Sequence, residues 1–237
     1  MAKEVVIKAD KIKKRNKRYS KTKIILSAIL LFFIFSFIIL SIIYKGGKFT
    51  ITLDQRLATD NHIVIYEDSI AKDGKRKLAA RDLEFMDNIS VNWIPANIDT
   101  EAEGSHNGEN YIAYTFYIEN KGEETVNYWY TILMDDVIKN VDEAARVMIY
   151  FNGQKTIYAK QNAYTNEPEN ETIPFYSEKE AVLEQRKDFA PGNIDKFTIV
   201  IWLEGDDPDC TDNILGGEIK MHMEIREEHK EESVKND

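Results

Sequence analysis

The sequence predicts a mainly β protein, in which an antiparallel β-sandwich with one or two short helices follows a single transmembrane helix. Residues 24–44 form a run of 21 residues without a charged side chain. Beyond this run, short segments either alternate apolar and polar residues or are rich in β-branched and aromatic residues, as strands are. A single cysteine, Cys210, excludes an intrachain disulfide, so the domain that follows the apolar run must be held by its core.

The apolar run has the length of a membrane span, because a helix rises about 1.5 Å per residue and the hydrocarbon core is about 30 Å thick. Segment 1–23 carries ten Lys and Arg residues against two acidic residues. The positive-inside rule therefore predicts a cytoplasmic tail over 1–23 and an uncleaved signal anchor over 24–44. A cleaved secretory signal is the alternative, but its apolar core has about 7–15 residues and ends in a small-x-small pattern, which does not follow Tyr44.

The exported part is predicted to comprise a sandwich domain over 45–226 and a disordered, charged tail over 227–237. Removing the ten basic and two acidic residues of 1–23 from the totals of 31 and 41 leaves 21 basic and 39 acidic residues, a net charge of −18. Such a surface repels nucleic acid and anionic lipid and allows divalent cations. We therefore expect no nucleic-acid partner.

The first exported segments predict short, separate elements. Residues 49–53 alternate apolar and polar residues and predict a strand that follows the anchor without a long stalk. Residues 63–66 predict a second strand. The charged run at 73–77 predicts a loop or the start of a solvated helix, and a helical pattern is expected to continue to about Met86. Residues 99–110 contain four acidic residues, two glycines and no apolar residue larger than alanine, which predicts a surface loop.

The strongest β pattern lies in the middle of the chain. Residues 111–118 and 125–134 each place apolar side chains on one face, and a polar turn separates them, so we expect them to form a hairpin. Residues 135–145 have apolar positions at helical spacing and predict a short helix or a crossover. A second hairpin is expected to join 146–151 to 156–159 through Asn152-Gly153, because both central residues of a type I′ turn need positive φ.

The last third of the chain is expected to hold a loop, a helix and two strands. Residues 161–174 are polar and contain two prolines, which predicts a long loop. Ser177 with Glu180 three residues later matches a capping box and predicts a helix that ends near Ala190. Residues 197–203 are almost wholly apolar, as in a strand buried on both faces, and 218–225 alternate as in a strand with one solvated face.

An acidic loop, residues 204–213, follows the buried strand and holds the candidate metal ligands. Counting from Asp207, oxygen donors at Asp209 and Glu218 occupy positions three and twelve, as in an EF-hand loop. Position six is Asp212 instead of glycine and the flanks predict strands, so the EF-hand is rejected. Asp207, Asp209 and Asp212 are candidate ligands of an irregular calcium site; the alternative is that these acids cap turns.

The sequence offers no catalytic constellation. The four histidines are scattered without a zinc-binding spacing, and neither a glycine-rich phosphate loop nor a G-x-S-x-G elbow is present. We therefore expect a protein that is not an enzyme, has no catalytic residue and holds no cofactor other than the candidate calcium ion.

Two stretches carry a resemblance to a known group of proteins. Residues 197–212 read FTIVIWLEGDDPDCTD, and residues 111–120 form a strand ending in Glu-Asn before Lys-Gly. They resemble the TasA/camelysin-like exported proteins of Gram-positive bacteria, a biofilm-matrix group, and their uncharacterised relatives. The resemblance implies a jelly-roll or immunoglobulin-like sandwich that works by surface association or assembly. The basic tail and the uncleaved anchor depart from that group and favour tethered association.

Together these observations predict a single-pass membrane protein with a cytoplasmic N-terminus and an extracytoplasmic domain, held in the membrane by 24–44. The expected function is surface adhesion, assembly or an accessory interaction, with a protein partner or by self-association. Two alternatives are a calcium-dependent binding module that uses the acidic loop and a metallopeptidase-like hydrolase.

Overall fold

The computed structural model describes residues 21–40, 48–83 and 85–227, and the chain separates into two units, Met1–Gly47 and Lys48–Asp237. The first unit contains helix α1 (Lys21–Leu40), whose length and composition suit a membrane span or a signal sequence. The predicted anchor is thus helical over its described part. The predicted tail over 1–23, apart from 21–23, and most of the tail over 227–237 lie outside the described residues.

The second unit is built mainly of strands. In the described residues these are β1 (Thr50–Leu53), β2 (Ile63–Tyr66), β3 (Lys77–Ala79), β4 (Gly104–Ser105), β5 (Ile112–Asn120), β6 (Val126–Ile138), β7 (Ala145–Phe151), β8 (Gln154–Ala159), β9 (Ile173–Pro174), β10 (Glu180–Phe189), β11 (Ile194–Leu203) and β12 (Glu218–Arg226). Between them lie the short helices α2 (Gln55–Thr59) and α3 (Ile98–Glu101), and three 3₁₀ turns at Val91–Trp93, Val141–Glu143 and Asp212–Ile214.

The strands form two sheets that pack face to face. One sheet has five strands in the order β10-β6-β12-β1-β3, and the other has seven, in the order β2-β5-β11-β7-β8-β9 with β4 paired to β5. Most neighbouring pairs are antiparallel, but β1 runs parallel to β12 and β8 runs parallel to β9. The predicted sandwich is therefore confirmed, with mixed sheets in place of purely antiparallel ones.

The core lies between the sheets and is centred on β11. Phe197 is fully buried and its ring lies 5.2 Å from that of Phe116 and 4.9 Å from that of Phe151, on the two strands that flank β11. Tyr130 of the opposite sheet packs edge-on against the same ring at 5.1 Å. Burial of such aromatic side chains supplies much of the stability that a domain without disulfides requires.

A second, smaller core covers the outer face of the seven-stranded sheet. Segment 88–101 places Ile89, Ile94 and Ile98 on a platform that includes Trp202. Glu204 links segment 88–101 to the sheet, because its carboxylate accepts hydrogen bonds from Trp202 Nε1 at 3.0 Å and from the Val91 amide at 3.1 Å. β11 is consequently buried on both faces, as its apolar sequence predicts.

Several strands occur where local sequence predicts them. β1, β2, β11 and β12 are confirmed, and β12 buries Met221, Met223 and Ile225 on its inner face. The hairpin of β7 and β8 is also confirmed, with φ angles of 50° at Asn152 and 83° at Gly153.

Other predictions are wrong where pairing partners decide the structure. Residues 111–118 and 125–134 are strands, but β5 and β6 belong to different sheets, so they do not form a hairpin. The predicted helix after Ser177 is strand β10, because Ala181, Val182 and Phe189 are buried against the core while β10 pairs with β6. The Ser177 hydroxyl does accept hydrogen bonds from the Lys179 and Glu180 amides, but the turn it closes leads into a strand.

Three smaller predictions also need correction. The segment 135–145 is not a helix but a crossover: it continues β6 to Ile138, forms a 3₁₀ turn and leads into β7 of the other sheet. The helical pattern toward Met86 is replaced by β3, whose Leu78 is buried opposite Ile51. The expected loop at 99–110 contains the end of α3 and strand β4.

Candidate functional site

The acidic loop begins at the end of β11 and carries two of the three predicted ligands in buried positions. Asp207 is 6% exposed and forms an ion pair with Arg146 of β7, which is also buried. The second carboxylate oxygen of Asp207 accepts a hydrogen bond from the Asp209 amide at 2.7 Å. Asp207 therefore closes the turn after Pro208 and neutralises a buried guanidinium, which agrees in part with the alternative that these acids cap turns.

Asp209 connects the acidic loop to a second loop, residues 160–172, which we call the β8–β9 loop. Its ends lie side by side, since Tyr158 pairs with Ile173 and Ala159 with Pro174. Asp209 is 5% exposed, and its Oδ2 accepts a hydrogen bond from the Ala163 amide at 2.9 Å. A buried carboxylate thus holds the β8–β9 loop against the sandwich.

The β8–β9 loop is also ordered by its own side chains. Asn162 Oδ1 accepts hydrogen bonds from the amides of Tyr164 and Thr165 at 3.0 and 3.1 Å, an arrangement that asparagine favours in turns. The Asn166 amide closes the turn by donating to the Asn162 carbonyl at 2.9 Å. The β8–β9 loop is therefore a compact, ordered surface loop.

Glu169 of this loop joins Asp207 and Asp209 in a carboxylate cluster, in which one oxygen from each residue lies within 4.8 Å of the others. Glu169 is half-buried, but its Oε1 is enclosed and has no hydrogen-bond partner among the described residues. A buried polar atom without a partner is uncommon, because it costs desolvation energy that nothing recovers.

The surroundings of this cluster are rich in negative charge. Burial raises the pKa of Glu143; Lys160 opposes this shift, and the charges of Asp142, Asp209 and Asp207 add to it. Lys160 is itself paired with Asp142, at 2.8 Å, and with Glu178, at 3.4 Å.

The third predicted ligand, Asp212, lies elsewhere. It is exposed in the first turn of the 3₁₀ segment Asp212–Ile214 and does not belong to the carboxylate cluster found in the described residues. Sequence reasoning missed Glu169 and Arg146. A lone glutamate in a polar loop and an arginine within a strand are common, and only the meeting of two loops distant in sequence reveals their proximity.

Cys210 is half-buried, and its Sγ accepts a hydrogen bond from Asn88 Nδ2 at 3.2 Å. This contact ties the acidic loop to segment 88–101, which covers the outer face of the seven-stranded sheet. The acidic loop is therefore held on two sides, by that segment and by the β8–β9 loop.

Exposed apolar side chains accompany the β8–β9 loop. Tyr164 at the loop tip is 82% exposed, and Ile173 and Tyr176, which follow the loop, are 48% and 56% exposed. Of the three, Tyr164 lies on the β8–β9 loop itself, and exposed side chains on loops positioned by a rigid scaffold are the usual binding residues.

Comparisons with known proteins do not assign this chain to a family. No family model matches the sequence, and no curated protein matches it. Among solved structures, two of a β-glucosidase from Kluyveromyces marxianus, one in complex with glucose and one labelled with selenomethionine, are similar at 11% identity, with TM-scores of 0.25 and 0.22. The aligned regions cover 71% and 68% of this chain but only 15% and 16% of the glucosidase chains, and TM-scores this low support no conclusion about fold or activity.

Proposed function

We propose that this chain is a single-pass membrane protein whose extracytoplasmic sandwich is an interaction module, and that it binds a protein partner or a second copy through the β8–β9 loop. The observation that carries this proposal is the loop itself. A buried carboxylate, Asp209, holds the loop on a rigid sandwich, while Tyr164 at its tip is 82% exposed. Loops positioned by a rigid scaffold are the usual place for binding residues.

The proposed orientation is supported by charge. α1 has the length of a membrane span, and segment 1–23 carries ten Lys and Arg residues, which favours retention of the N-terminus in the cytoplasm. The domain that follows would then lie on the opposite side of the membrane. The resemblance to the TasA/camelysin-like group also favours surface association.

Replacing Tyr164 with a photo-crosslinking amino acid tests the binding surface in cells that produce the full chain. Ile70, which is 94% exposed and lies between β2 and β3, is the matched control position. We expect a discrete adduct from position 164 and none from position 70, detected by mass on a gel. An adduct of twice the chain mass would identify self-association. Equal adducts at both positions, or none at position 164, would contradict the proposed surface.

Cysteine labelling tests the orientation. In a Cys210→Ser background, single cysteines are introduced as Ile70→Cys and Lys8→Cys, and intact cells are treated with a membrane-impermeant maleimide. We expect the label at position 70 only, and at both positions after lysis, because the bilayer protects the cytoplasmic tail. Labelling at position 8 but not at position 70 in intact cells would contradict the proposed topology and indicate the opposite orientation.

A further inference from the structure

We propose that Glu169, Asp207 and Asp209 form a calcium site that joins the β8–β9 loop to the acidic loop. The ion would regulate the interaction surface by holding the loop that presents Tyr164. That consequence rests on the proposed function, whereas the ion site stands independently of it. The site differs from the one expected from sequence, because Glu169 takes the place of Asp212.

The spacing of the cluster suits a calcium ion. Calcium binds oxygen ligands at about 2.3–2.6 Å, so two ligands on one ion are at most about 5 Å apart. One oxygen from each of Glu169, Asp207 and Asp209 lies within 4.8 Å of the others. The three oxygens are therefore close to the separation that ligands of one shared ion require.

The buried oxygen of Glu169 is an independent indication of a missing partner. Oε1 of Glu169 is enclosed and accepts no hydrogen bond from the part of the chain that the structure describes, although the two aspartates beside it each accept one from a backbone amide. A cation bound beside Glu169 would supply the interaction that the protein does not provide. The ion would thereby recover the desolvation cost of this carboxylate.

The charge around the cluster also favours a cation. Among the described residues, one of the three carboxylates, Asp207, is paired with Arg146, so the three carboxylates and this guanidinium together carry a formal charge of −2, while Lys160 is engaged by Asp142 and Glu178. Close carboxylates repel one another unless a proton or a metal ion lies between them. A divalent cation balances this excess.

Ligand chemistry favours calcium over magnesium. The cluster consists of carboxylate oxygens on irregular loops, and calcium accepts irregular geometry, whereas magnesium demands a nearly ideal octahedron. Arg146 competes for Asp207, so the affinity should be modest. We expect a dissociation constant of about 10⁻⁴–10⁻³ M, the range of extracellular calcium modules.

Thermal unfolding of the full chain in detergent, stripped with chelator and titrated with CaCl₂ at constant ionic strength, tests the site. A ligand that binds only the folded state raises Tm, and at ten times Kd we expect a rise of about 3–6 °C. Glu169→Gln should abolish the rise. Glu171→Gln, an exposed residue of the same loop, is the matched control and should keep it.

A second variant tests the site independently in case Glu169→Gln does not fold. Asp209→Asn keeps an oxygen for the Ala163 amide and should also lose the calcium-dependent rise. The proposal is overturned if calcium does not raise the Tm of the unsubstituted chain, or if Glu169→Gln responds as the control does. A Tyr164 adduct without a calcium response would reject the ion site and leave the proposed interaction surface standing. A calcium response without the adduct would reject the interaction surface and leave the ion site standing.

Discussion

Replacing Arg146 with methionine is expected to lower the free energy of unfolding by about 3–5 kcal/mol, because it leaves the Asp207 carboxylate buried without its counter-charge. Arg146 and Asp207 are 4% and 6% exposed, so water cannot replace the lost partner. The measurement is denaturant unfolding of the full chain in detergent micelles.

Two further variants separate the lost ion pair from a general effect of mutation. Lys155→Met, on the exposed surface of β8, should change the free energy by no more than about 0.5 kcal/mol. Adding Asp207→Asn to Arg146→Met removes the orphaned charge while keeping an acceptor for the Asp209 amide, and should recover part of the loss. If Arg146→Met costs no more than Lys155→Met, the ion pair does not stabilise the acidic loop.

Phe197→Ala is expected to destabilise the sandwich by a similar amount, about 3–5 kcal/mol, because it removes a fully buried ring and leaves a cavity. The ring contacts Phe116 and Phe151 within its own sheet and Tyr130 of the other, so neighbouring side chains cannot close the space without moving both sheets. The same unfolding measurement reports this loss.

A control on the same strand tests whether position in the core is the cause. Ile194 begins β11 and is 43% exposed, so Ile194→Ala should cost much less than Phe197→Ala. Equal losses at the two positions would show that the interface between the sheets is not the centre of stability.

Local sequence predicted the elements whose conformation depends on adjacent residues. The turn at Asn152-Gly153 requires positive φ at both residues, and these two residue types tolerate it whatever surrounds them. The alternation along β12 likewise separates a core face from a solvated face without information about its neighbours.

Prediction from local sequence failed where pairing with a strand distant in sequence determined the conformation. The capping-box pattern at Ser177 and Glu180 is compatible with a helix, but pairing with β6 makes the segment a strand. β5 and β6 are neighbours in sequence with a polar turn between them, yet β5 pairs within the seven-stranded sheet and β6 pairs within the five-stranded sheet. Propensity is a weak preference that tertiary contacts override.

By itself the sequence determined a candidate membrane anchor, a β-rich domain that follows it in the chain and an acidic loop that contains two of the three clustered carboxylates, because charge, apolar length and alternation are local properties. Only the tertiary structure decided which strands share a sheet and that Glu169 and Arg146 meet Asp207 and Asp209. Those contacts join residues far apart along the chain, and their proximity arises from packing two sheets and two loops together, which no window of sequence contains.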